Sequence, residues 1–371
     1  MRSDPYRVIV WGPGVLGNAL IREMAKKPEF EIVGVLAYSE DKSGKDAGEL
    51  AGAGAIGVAI TTDQEEIFAL DADVALICVQ TTAPVDLKSD TTQSVVRFLE
   101  KGVNVVSAPA YHWAHLHGQE LVDTLEQACR TGNATLHSTG INPGLLNERW
   151  TVGFTAAMTE IDHIKVQEIN DNSHIDSKDM MLAIGYGQEP NYEVQPIVMA
   201  LGKRYYHETL LQTMHILGHE VERIEDDFEW LVADKDYSHV AVDVPKGTIN
   251  GIIHRYHAVA NGRRFMTLEE IFYGSADQCP VPEVTGGDMW TILIEGKPTS
   301  LRAVIDMKAS IEENRAFADG DTTLPAYYAT AVPMLQAIPL VVGGEPGIVY
   351  PHTFTTYRPD LRELEPQNTT V

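Results

Sequence analysis

The sequence predicts an α/β protein with an N-terminal doubly wound parallel sheet, followed by a second, α+β domain. Two observations carry that expectation. Through the first 140 residues, short apolar runs alternate with helix-length amphipathic stretches, and repeated strand–helix units build a parallel sheet covered on both faces. After Gly144 the alternation stops, and strand-like pieces mix with one long helix.

The elements follow in order. Residues 7–11 (RVIVW) form a short apolar strand, and 15–27 a helix with Leu16, Leu20 and Met24 on one face and Pro28 as its stop. Residues 31–37 give a second strand and 58–60 a third. Thr62 with Glu65 reads as a capping box for a helix reaching Leu70. Residues 72–79 are apolar throughout, as strands buried on both faces are. A helix over 92–101 ends at Gly102, a strand spans 104–108, a helix over 119–130 closes at Gly132, and 134–138 is a sixth strand. In the second domain, strands at 161–169, 248–260 and 289–295 accompany a helix around 196–217. Residues 218–237 carry eight acids against Arg223 and Lys235 and read as a solvated face, with Val221, Ile224, Phe228 and Leu231 turned inward. The polar stretch from Pro359 is expected to fray.

Composition excludes several classes of partner. Lys and Arg number 28 against 53 Asp and Glu, a net charge of −25. Phosphate backbones and anionic membrane surfaces are bound by neutralising them, so neither nucleic acid nor membrane is expected as a partner. A hydrophobic content of 44% rules out intrinsic disorder. Cys78, Cys129 and Cys279 form no CxxC, which argues against a disulfide framework or a zinc knuckle, and Cys78 reads as a buried, inert thiol. No apolar run approaches the about 18 residues of a membrane span. The N-terminus, with Arg2, Asp4 and Arg7, carries no secretory pattern, so a cytoplasmic protein is expected.

Gly12-Pro13-Gly14-Val15-Leu16-Gly17 is a GxGxxG that follows a strand and opens a helix. That context makes it a dinucleotide fingerprint of the Rossmann type. Gly12 permits the tight turn, Gly14 lets the backbone approach the pyrophosphate, and Gly17 lets the helix pack on the strand. Helix N-terminal amides at Val15, Leu16 and Gly17 then hold the phosphates. At the end of the second strand, NAD enzymes usually offer an acid to the ribose. Ala37-Tyr38-Ser39 stand there, followed by Lys42 and Lys45. A hydroxyl and two cations suit a 2′-phosphate, so NADP is the expected cofactor, with NAD left open. Gln80, Thr81 and Thr82 after the fourth strand, and Ala108 after the fifth, are expected beside the nicotinamide at the carboxyl edge of the sheet. Asn142 either bonds the carboxamide or belongs to an ordinary Asn-Pro-Gly turn.

The glycine loop, the segment 39–50 (SEDKSGKDAGEL) and Gly140-Ile141-Asn142-Pro143-Gly144 resemble dihydrodipicolinate-reductase-like dehydrogenases. The branch most similar is that of 2,4-diaminopentanoate dehydrogenase and the native amine dehydrogenases, whose final segment resembles Ala337-Ile338-Pro339-Leu340-Val341-Val342 and Pro346-Gly347-Ile348. The resemblance implies a Rossmann domain over 1–147 to which 325–358 returns, and a substrate-binding and dimerisation domain over 148–324. It also implies a homodimer and NAD(P)-dependent hydride transfer to a C=N or C=O carbon of a small molecule.

One departure concerns the chemistry. Amine dehydrogenases of this branch carry a glutamate just after the fifth strand, whereas Ala108-Pro109-Ala110-Tyr111-His112-Trp113 contains no acid. Tyr111 or His112 is then the candidate proton donor. His115 and His117 lack metal-ligand spacing and read as loop residues, so no metal is expected. Substrate contacts are sought at Asn170, His174, His215 and His257, with Asp171 and His254 nearby in sequence, and Tyr186 between two glycines as a lid. The expected activity is reductive amination of a ketone or aldehyde. The alternatives are a ketone or aldehyde reductase that does not use ammonia, and a dinucleotide-binding sensor without catalysis.

Overall fold

The computed structural model describes residues 2–79, 85–193, 196–313, 317, 320–352 and 355–362. The chain forms two compact units, Met1–Leu146 with Ala309–His352, and Asn147–Lys308 with Thr353–Glu365.

The first unit begins with β1 (Tyr6–Trp11), α1 (Val15–Ala25), β2 (Phe30–Leu36), α2 (Ala47–Ala51), β3 (Ile60–Thr61), α3 (Gln64–Phe68) and β4 (Val74–Ile77). It continues through α4 (Asp90–Glu100), β5 (Asn104–Ser107), α5 (Gln119–Gly132) and β6 (Thr135–Ser138). Two local details differ from expectation. The cap of α3 is Asp63, whose carboxylate accepts from the Glu65 amide at 2.8 Å, and not Thr62. The short helix α2 arises because the Asp46 carboxylate collects the amides of Gly48, Glu49, Ile56 and Gly57.

In the second unit, α6 (Val152–Phe154) leads to β7 (Glu160–Asp171), α7 (Lys178–Ile184) and α8 (Ile197–Ile216). Then follow β8 (Arg223–Val232), β9 (Tyr237–Ser238), β10 (Asp243–Val244), β11 (Ile249–Ala260), β12 (Arg263–Tyr273), β13 (Met289–Lys297) and β14 (Leu301–Asp306). Six of these strands form a mixed sheet in the order β14-β13-β7-β12-β11-β8. The acid-rich stretch is the edge strand β8 rather than a simple solvated face. Asp226 binds Lys203 and His207 on one side of the sheet, and Asp227 binds Arg255 and His257 on the other. Tyr186 is no lid. It is fully buried in a core with Met181, Ile184, Trp230 and Ile249.

The chain then returns to the first unit with α9 (Pro325–Val342) and β15 (Gly347–Val349). The completed parallel sheet runs β15-β6-β5-β4-β1-β2-β3. Side chains alternate between its two faces. Ile9, Trp11, Ala75, Ile77 and Val105 pack beneath α3, α4 and α5, while Val8, Val10, Leu76 and Val106 pack against α1 and α9. By length and composition α9 is apolar enough to cross a membrane, against the expectation that no such run exists. Its buried side, with Ala331, Met334, Ile338 and Val341, belongs to the core of the first unit.

Candidate active site

The glycine loop is fixed by two close approaches. Gly12 has φ +107°, and a Cβ there would lie 3.0–3.1 Å from Val79 and from the backbone at Cys78 and Val79. A Cβ at Gly17 would lie 2.2 Å from the Gly12 carbonyl oxygen. At Gly14 the same atom meets nothing within 4 Å. Gly14 N-caps α1 with no side-chain cap and no acid in the first turn, so the amides of Val15, Leu16 and Gly17 and the helix dipole are left to an external anion. These residues fit a pyrophosphate.

Beyond β2 the geometry is mixed. Ala37 is buried, and the exposed Tyr38 accepts the Trp11 indole N–H at 3.0 Å. Lys42 donates to the Pro13 carbonyl at 2.8 Å, which ties this loop to the glycine loop. Ser39 donates to Asp41, an acid the sequence reading passed over because it stands five residues beyond the strand. That hydrogen bond, with Lys45 and Lys42 nearby, holds the Asp41 carboxyl below its usual range. Lys45 is exposed.

At the carboxyl edge of the sheet, Gln80, Thr81 and Thr82 lie outside the described residues. The Ala108 carbonyl accepts from His112 Nε2 at 3.0 Å. That bond puts the proton on Nε2 and the lone pair on Nδ1. His112 is 1% exposed, and its Nδ1 has no partner among the described residues. Ser107 Oγ and Thr139 Oγ1, at the ends of β5 and β6, are likewise buried without one. Ser107 adjoins Ala108 at the edge where the nicotinamide is expected from sequence; Thr139 was not singled out, although a hydroxyl following an apolar strand was the available signal. Asn142 is extended (φ −153°) ahead of Gly144, which has φ +126° and where a Cβ would lie 2.7 Å from Thr139 Oγ1.

Tyr111 is placed differently from the expected proton donor. It is buried in the apolar core with φ +73°, and its hydroxyl lies 2.8 Å from Thr92 Oγ1 in α4. The hydroxyl is thus committed to α4. We expect Tyr111→Phe to lower the melting temperature by roughly 2–4 °C with turnover nearly intact; a collapse of kcat at unchanged stability would restore Tyr111 as the donor.

In the second unit the four expected substrate contacts separate. His174 and His215 are exposed. His257 bonds Thr267 and Asp227 at 2.9 Å each on the face opposite His254 and α8, because residues three apart on a strand point to opposite sides. Asn170 shares the α8 face with a row that sequence reading missed. Cross-strand register sets His254 opposite Glu270, Glu270 opposite Glu168, and Glu168 opposite Trp290. Tyr206 of α8 donates to Glu168 at 3.1 Å.

Comparison with known proteins places this geometry. Residues 6–108 match the dihydrodipicolinate reductase N-terminus family. Over most of its length the chain is 27% identical, across 351 residues, to an amine dehydrogenase of Streptomyces virginiae, covering 92% of this chain and 93% of that protein. It is 23% identical over 362 residues to 2,4-diaminopentanoate dehydrogenase of Acetoanaerobium sticklandii, covering 93% and 92%. The solved structure of amine dehydrogenase from Mycobacterium smegmatis superimposes with a TM-score of 0.67 at 22% identity, covering 96% of this chain and 98% of that one. The resemblance read from the glycine loop therefore holds, and the chain is an NAD(P)-dependent oxidoreductase.

Proposed function

We propose that this oxidoreductase moves hydride between NADP(H) and the carbon of a C=N bond in a small substrate, as an amine dehydrogenase does: reductive amination of a ketone or aldehyde, and its reverse. The observation that carries the reading is the reach of the similarity. The match to an amine dehydrogenase runs through both units, which a shared dinucleotide fold alone does not produce.

A bound nicotinamide supplies or takes up the hydride. The chain would hold its pyrophosphate on the α1 amides. His112 handles the proton: its bare Nδ1 accepts one in the oxidative direction and returns it in the reductive direction. One observation favours a second reading, carbonyl reduction without ammonia, because residues 108–118 contain no acid.

The deciding assay follows NADPH oxidation with a ketone and aldehyde panel, with and without ammonium. Turnover only with ammonium is expected. Equal turnover without it identifies a carbonyl reductase, and tight NADPH binding with no turnover identifies a sensor. For the cofactor, Lys45→Ala should raise the KM for NADPH severalfold more than that for NADH, while Lys42→Ala weakens both because Lys42 braces the glycine loop. Equal effects of Lys45→Ala on the two cofactors reject the 2′-phosphate role.

A further inference from the structure

We propose that the ring of Tyr38 is the platform on which the adenine of the dinucleotide stacks. The proposal deepens the cofactor side of the reading above and rests on NADP(H) lying along the glycine loop.

The argument begins with position. Where β1 enters the glycine loop, three consecutive residues each hold part of the segment that ends β2 and follows it. The Trp11 indole N–H donates to the Tyr38 hydroxyl at 3.0 Å, and the Gly12 amide donates to the Leu36 carbonyl at 2.9 Å. The Pro13 carbonyl accepts from Lys42 at 2.8 Å. Ala37 is pinned as well, its amide donating to the Thr61 carbonyl at 2.9 Å. Tyr38 is therefore fixed beside the glycine loop, on the β2 side of β1. A pyrophosphate on the α1 amides sends one nucleoside to each side of β1. The β4–β5 side leads to His112 with its bare Nδ1, which belongs with the reacting ring. The adenosine is left to the β2 side, where Tyr38 stands.

Chemistry agrees with position. Tyr38 is 56% exposed, and Trp11 meets it edge-on with ring centroids 6.5 Å apart. No other ring or cation among the described residues packs on it. Up to residue 115, the large apolar side chains left exposed among the described residues are Tyr38 and Val15, and both border the glycine loop. An open aromatic face gains by covering a heteroaromatic base, and stacking asks for no charge on the protein. That suits a chain of net charge −25, which must gather a polyanion against its own field. The ring is also held still. Trp11 is buried and packs against Phe68 and Phe98 at 5.5 and 5.3 Å, so the tether of Tyr38 is rooted in the core of the first unit. A side chain already in place loses little freedom when the base arrives.

The test titrates the full-length protein calorimetrically with NADPH and with 2′-phospho-ADP-ribose, which keeps the adenosine half and lacks the nicotinamide. Tyr38→Ala and Tyr38→Phe are run beside the wild type, with unfolding midpoints measured. Tyr38→Ala should weaken both ligands by the same factor, about tenfold or more. Tyr38→Phe loses the bond from Trp11 but keeps the ring, so it should stay within about threefold of the wild type. Unchanged affinity in Tyr38→Ala overturns the proposal, as does a loss confined to one ligand. Equal losses in the two variants also overturn it, because they make the hydroxyl and its hold on Trp11 the source of affinity. A wild type that binds neither ligand overturns it together with the cofactor assignment. A folding failure in Tyr38→Ala leaves Tyr38→Leu, which fills the space without a ring, to decide. Ring-dependent binding with no NADP+ reduction by any amine would sink the amine-dehydrogenase reading and leave the platform standing. Amine-driven reduction with an unchanged KM for NADP+ in Tyr38→Ala would do the reverse.

Discussion

Gly17→Ala should abolish tight dinucleotide binding, while Gly14→Ala should weaken it without disturbing the fold. At Gly17 the added Cβ meets the Gly12 carbonyl at 2.2 Å and the Gly12 carbonyl carbon at 3.0 Å. Both are backbone atoms of the tight turn, so no side chain can rotate away. Relieving the overlap moves α1 off the strand or opens the turn, a strain of roughly 2–3 kcal/mol. An equal loss of binding energy is about 100-fold in Kd, with a lower melting temperature alongside. At Gly14 the Cβ points into open space, so stability should be unchanged and any loss of affinity reports the approach of the cofactor itself. Fluorescence titration with NADPH, paired with thermal unfolding, separates the two. A Gly14→Ala protein that binds as tightly as the wild type would show that the pyrophosphate does not lie over this residue.

His112→Gln should cut kcat by about 100-fold or more and leave NADPH affinity intact. The glutamine amide can still donate to the Ala108 carbonyl, so the local fold survives, but it cannot carry a proton between states. The bare Nδ1 is then gone. A variant with near wild-type turnover would move proton transfer to another group, of which Ser107 and Thr139 are the nearest candidates in kind, since both end strands at the same sheet edge with unpartnered hydroxyls. Equal losses in kcat and cofactor affinity would instead make His112 a support for the loop after β5.

The first unit was legible because its signals are local. A glycine loop between β1 and α1, apolar strands and helix stops such as Gly102 all lie within a few residues of what they determine. The cap of α3 slipped by one residue because Thr62 and Asp63 are both good caps, and only geometry chooses between them. The second unit resisted reading for the opposite reason. Its row joins residues from β7, β11, β12 and β13, more than a hundred residues apart at its extremes. No periodicity records which residue of one strand faces which of another. His257 seemed as good a candidate as His254 until the pleat sent the two to opposite faces. The acids of β8 looked like solvent-facing charge because nothing in a charge count reveals Lys203, His207 and Arg255 waiting opposite.

The return of α9 and β15 sets the order in which this protein can be made. On a ribosome, residues 1–146 emerge before α9, whose apolar side packs on β4, β5 and β6 in the finished fold. Some 160 residues of the second unit must be synthesised before the missing helix arrives. Until then the apolar side chains of the first unit that α9 covers lack their partner. Cutting the gene after residue 146 would not liberate a working nucleotide-binding fragment.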